Sequence, residues 1–157
     1  MKKILVLINL IILSAYSASG LMLKLSEQEL ALSAEKIVHG RVIKKESFWN
    51  KDKNIIFTRV IVRKSELLKG EDAGDEVELI IPGGKIGLWE LRVSDMAVFQ
   101  ENEEVLLFIQ KDRFGNNNTV GAYQGKYALS RDSDNQLSAR SDALKMRIKK
   151  IIKAQGQ

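Results

Sequence analysis

Ile55-Ile56-Phe57-Thr58-Arg59-Val60-Ile61-Val62-Arg63-Lys64 decides the fold. Ile56, Thr58, Val60 and Val62 alternate with Phe57, Arg59, Ile61 and Arg63, and the stretch is rich in β-branched side chains. That period of two predicts a strand with one face toward a core. Upstream, residues 37–45 have the same character, and Ser47-Phe48-Trp49-Asn50-Lys51-Asp52-Lys53-Asn54 supplies a polar turn between the two. An antiparallel hairpin with a long loop is the simplest pairing. Residues 65–70 close the second strand, with Gly70 available for a positive φ.

Working outward, residues 76–81 alternate Val77, Leu79 and Ile81 with Glu76 and Glu78, and stop at the single proline, Pro82, followed by Gly83-Gly84. Residues 86–93 are apolar at most positions and read as a further strand. The continuous apolar run 105–109 suits a strand covered on both faces. Phe114-Gly115-Asn116-Asn117-Asn118 signals a turn, and 119–123 and 126–130 read as two short strands. At the front, Ser26 as N-cap, Glu29 as its reciprocal partner and Leu25 with Leu30 as a staple predict a helix over 26–36. From Ser141 onward, Leu144, Ile148, Ile151 and Ile152 recur at helical spacing among lysines and arginines. Their isoleucines are expected to cover an open end of the barrel, with the lysines in water. The expected fold is mainly β (α+β): an antiparallel OB-like barrel or curled sheet of about six strands, with an N-terminal and a C-terminal helix.

Lys2 and Lys3, the apolar run 4–13 and the small residues 14–20 have the order of a secretory signal peptide. Residues 1–20 are therefore expected to be a removed leader, and 21–157 a single OB-like or netrin-like β domain. The run is short against the roughly 20 residues that span a bilayer. A soluble exported product, periplasmic or extracellular, is the expectation. The net charge of +5 is spread among interleaved acids, so no nucleic-acid partner is expected. The chain contains no cysteine, which excludes disulfides, thiolate metal sites, a cysteine nucleophile and a lipoprotein anchor.

The segments 25–30, 34–42 (A-E-K-I-V-H-G-R-V), Thr58, Leu68-Lys69-Gly70, Pro82-Gly83-Gly84, Val93-Ser94, 104–108 (E-V-L-L-F) and Gln124-Gly125-Lys126-Tyr127, taken together, resemble a family of small exported bacterial domains of unassigned function. Their order is also similar to the netrin-type module of the tissue inhibitors of metalloproteases, which implies an OB-like barrel with flanking helices. Those inhibitors place an N-terminal cysteine on the catalytic zinc, so without cysteine that mechanism does not transfer. Asn102 stands where the bacterial pattern has a glycine, and Met96-Ala97 where it often has a proline.

The candidate sites each have a plain structural alternative. His39 is the sole histidine and has no metal or catalytic partners near it in sequence, so it reads as a satisfied strand histidine. Asp132, Asp134 and Asn135 hint at a calcium loop, but Leu137 and Ala143 occupy its glycine and glutamate positions, and a solvated turn is the reading. Pro82-Gly83-Gly84-Lys85 can cradle an anion through backbone amides or simply connect strands. Trp89 is expected in the core, whereas Trp49 in the polar loop is a candidate contact residue. Binding candidates are thus Trp49, Gly83, Gly84, Gln124 and Lys126, with no catalytic residue, metal site or cofactor.

The leading expectation is a non-enzymatic exported module acting through protein contacts. Membrane-surface contact through the basic C-terminal helix is the lesser partner reading. The alternatives are a hydrolase or carbohydrate-active enzyme using Asp95, Glu101 and Glu104, and a surface-occluding protease inhibitor or accessory domain.

Overall fold

The computed structural model describes residues 23–71 and 74–156; the predicted leader, residues 1–20, lies outside them. The chain order is α1 (Glu27–Ser33), β1 (Lys36–Trp49), β2 (Ile56–Lys69), β3 (Glu76–Pro82), β4 (Gly84–Ile86), β5 (Trp89–Leu91), β6 (Glu104–Lys111), β7 (Asn117–Thr119), a 3-10 turn (Ala122–Gly125), β8 (Lys126–Leu129) and α2 (Ala139–Ala154). Six strands form one antiparallel sheet in the order β3-β2-β1-β6-β7, with β8 also paired to β6. β4 and β5 form a separate two-stranded ribbon.

The sheet curls until its outer strands approach, and Asn117 donates from Nδ2 to Glu78 O at 2.9 Å. No backbone ladder closes the ring between β3 and β7, so of the two expected forms the curled sheet is the one adopted.

Alternation along β1 and β6 divides the apolar side chains between two cores. Val38, Val42, Val60, Val62, Leu79, Val105, Leu107 and Ile109 fill the inside of the curl. Ile37, Leu106 and Phe108 point the other way, onto Leu30 and Ala34 near α1 and Leu144, Ile148 and Ile152 of α2. The run 105–109 is buried on both faces, as its unbroken hydrophobicity predicts. The C-terminal isoleucines thus cover the outer face of the sheet rather than an open end.

The predicted capping box is present: Ser26 N donates to Glu29 Oε2 at 2.7 Å and Glu29 N to Ser26 Oγ at 3.2 Å. The helix stops earlier than the predicted residue 36. Ala34 is already extended, and Glu35 N is taken by Ile109 O at 2.8 Å, so the sheet captures the chain there. β2 runs on into the predicted closing segment as far as Lys69, because the start of β1 needs a partner and finds it in the Ile37 to Lys69 pairing. The polar turn is also shorter than read: Ser47, Phe48 and Trp49 remain in β1, and Asn50 Oδ1 closes the turn by accepting from Asn54 N and Ile55 N.

The stretch 86–93 breaks into the β4–β5 ribbon, turning at Gly87 with φ +58. Residues 119–123 do not form one strand; Gly121 and Ala122, both at φ +56, end the extension and start the 3-10 turn. Asn102, standing in place of a glycine, has φ +67, a left-handed conformation that asparagine tolerates better than most residues. Its N–H donates to Val42 O at 2.8 Å.

Candidate functional site

The candidate site begins where β3 stops. Gly83 at φ +100 and Gly84 at φ +141 fold the chain back over the sheet, a path that Pro82 permits by ending the ladder. A side chain at Gly84 would collide with the hydroxyls of Ser47 and Thr58, which stand opposite each other on β1 and β2. Thr58 Oγ1 donates to Gly83 O at 2.7 Å and lies 3.1 Å from Ser47 Oγ, which accepts from Lys85 N at 3.3 Å. The ribbon is thereby pinned across the mouth of the curl.

Beside this pin opens a cleft of about 740 Å³, whose wall includes Lys45, Ser47, Gly83, Gly84, Lys85, Glu90, Arg92, Val93, Met96 and Val98. Its chemistry is mixed: apolar side chains from 91–98 share the wall with three cations, and among the described residues Glu90 is its one carboxylate. A hydrogen bond and charge from Arg92, 2.8 Å away, hold the Glu90 carboxyl below the ordinary glutamate value. Lys45 Nζ donates to Phe99 O at 3.0 Å, and Lys45 N to Glu101 Oε1 at 3.0 Å, so β1 fastens the segment that floors the cleft.

The structure gathers some of the sequence candidates and disperses others. Gly83 and Gly84 lie in the cleft wall, although Gly83 N is engaged by Ile56 O at 2.8 Å and Lys85 N by Ser47 Oγ. Lys126 sits behind the floor. Its ammonium donates to Val98 O at 2.5 Å and Glu103 Oε1 at 2.6 Å, over the Phe99 ring at 5.0 Å. Gln124 instead ties down the incoming chain, accepting from Leu25 N at 2.7 Å and donating to Leu23 O at 3.1 Å.

Trp49 is half-buried at the end of β1 and meets the edge of Trp89, with ring centroids 6.3 Å apart and planes at 72°. Trp89 is not in the core: it is 69% exposed, because the ribbon lifts it off the sheet.

No protein-family model matches the chain, and no significant relative is found among curated proteins.

The three carboxylates considered for hydrolysis do not line the cleft. Glu104 lies buried on the outer face of the sheet, with His39 Nε2 at 2.7 Å, Arg131 Nε at 2.5 Å and Nη2 at 2.7 Å, and Arg41 Nη2 at 3.3 Å. Burial acts to raise its pKa, but the hydrogen bonds and charges of Arg131 and His39 outweigh that and keep it below the ordinary value.

His39 Nδ1 faces Lys145 Nζ at 3.4 Å. Both ring nitrogens are thus engaged, Nε2 by Glu104 and Nδ1 by Lys145. The sole histidine is therefore a satisfied strand residue. Lys145, expected in water, is turned inward and also pairs with Glu66 at 2.8 Å.

Asp132 closes its own turn by accepting from Asp134 N and Gln136 N, each at 3.0 Å. Among the described residues no group of three or more histidine, aspartate or glutamate side chains is placed to hold a metal ion.

Sequence reasoning missed Lys45, Arg92, Met96 and Val98, which come from three separate segments with no shared motif. The pin itself left a trace, since two small hydroxyl residues fall opposite each other once the hairpin is put in register with the Gly-Gly step.

Proposed function

We propose that this protein is an exported, non-enzymatic interaction module that works through protein contacts in the cell envelope or outside, using the cleft beside the Gly83-Gly84 step. The observation that carries the reading is the composition of that wall: apolar and cationic groups held on a hydrogen-bonded frame. A partner segment carrying apolar and acidic side chains would be complementary to it. The hydrolase reading calls for two carboxylates about 5 to 10 Å apart across a cleft, and among the described residues the cleft wall offers Glu90 alone, tied to Arg92.

The test is site-specific photocrosslinking from position 98, in the cleft wall, compared with position 146 on the exposed face of α2. A discrete protein adduct from position 98 but not from 146 supports the reading. Turnover of a small substrate by the purified chain, abolished by changes in the cleft, would overturn it.

A further inference from the structure

Leu88 and Trp89 form a protruding apolar tip. Leu88 is 101% exposed and Trp89 69% exposed, at the turn of a ribbon where even an added side chain at Gly87 would meet nothing within 4 Å. Neither residue lines the cleft, so the tip is a second feature. The Trp49 ring contact sets the β1–β2 turn beside it, and exposed Lys51, Lys53, Lys85 and Arg92 belong to these two elements and their flanks. Against them stand Asp52 and Glu90, the latter already paired with Arg92. The two turns together carry an excess of positive charge around an apolar point.

From this geometry we infer that the tip docks on an anionic lipid bilayer. Leu88 enters the edge of the acyl region and Trp89 occupies the headgroup boundary, where an amphipathic indole is favoured. The surrounding cations meet lipid phosphates. The tip's shape favours a bilayer over a protein groove: a convex point can enter a fluid surface without a preformed pocket. This docking shares Lys85 and Arg92 with the cleft wall and would hold the cleft close to the membrane surface.

Both tryptophans of the chain lie at this end, so tryptophan fluorescence reports on it alone. The experiment uses the full chain with Trp49→Phe, leaving Trp89 as the single tryptophan, excited selectively over the tyrosines. It is mixed with vesicles of brominated phosphatidylcholine, with or without phosphatidylglycerol. The expected result is a blue shift and bromine quenching of Trp89 on the phosphatidylglycerol vesicles, lost above about 0.5 M salt. Leu88→Asp, at a fully exposed position that folding does not use, should weaken vesicle binding about tenfold or more.

Because the signal measures the depth of Trp89, attachment through another part of the chain does not produce it. Absence of quenching, equal quenching without the anionic lipid, or unchanged quenching in Leu88→Asp would each overturn the inference. So would a protein partner that shields Trp89 from iodide when vesicles do not quench it.

Discussion

His39 Nε2 lies 2.7 Å from Glu104 Oε1, both residues buried on the outer face of the sheet, so a side-chain hydrogen bond reinforces the β1–β6 pairing beneath α2. Glu104 is also the common acceptor for Arg131 and Arg41, which makes it the centre of the polar network. Glu104→Gln keeps the shape and removes the charge, leaving Arg131 without its counter-ion. A loss of about 2 kcal/mol is expected, and a larger loss for Glu104→Ala, which also leaves His39 Nε2 without its partner. Urea unfolding of the three proteins checks the order.

The acid limb of the stability curve should carry the same signature. The Glu104 and Glu66 carboxyls sit below the ordinary glutamate value in the folded protein: burial raises both, but hydrogen bonds from Arg131 and His39, and from Lys145 and Lys149, outweigh it. A lowered folded pKa contributes stability that is full above the unfolded value and is lost as pH falls through the folded one. Stability should therefore decline from about pH 4.5 downward. Glu104→Gln should flatten that decline, and thermal melts across pH 6 to about pH 3 read the slope.

Gly84 and Gly87 make a matched pair for substitution. Both have positive φ, but a side chain at Gly84 meets Ser47 and Thr58 whereas one at Gly87 meets open space. Gly84→Ala should cost about 2 to 3 kcal/mol and loosen the ribbon, and Gly87→Asn less than about 1 kcal/mol. Chemical denaturation with amide exchange at Lys85 separates global loss from local detachment.

Gln124→Ala removes two hydrogen bonds to the segment entering α1. Only about 1 kcal/mol of global stability should go. The measurement that decides is hydrogen exchange: the Leu25 amide should lose protection while β6 amides keep theirs.

Much of the fold was legible because burial on one face leaves a period of two, as along Ile56, Thr58, Val60 and Val62, and burial on both faces leaves the unbroken run at 105–109. The capping box at Ser26 and Glu29 was legible for the same local reason. What escaped was set by distant pairing. Trp89 looked like core because its neighbours are apolar, yet the ribbon is pinned at its base by Ser47 and Thr58 and turns its tip outward. Lys145 looked like one solvated lysine among several until β1 and β2 placed His39 and Glu66 under it. The cleft was the least legible, since its floor at 96–99 is held by Lys45 and Lys126, neither near it in sequence.

β1 and β6 are the wall between two rooms, with Val38, Val105, Leu107 and Ile109 in one and Ile37, Leu106 and Phe108 in the other. Loss of either compartment strips packing from strands that the other also uses. The helices and the curl should therefore unfold as one cooperative unit, and a load placed on α2 will be felt inside the curl through the strands the two cores share.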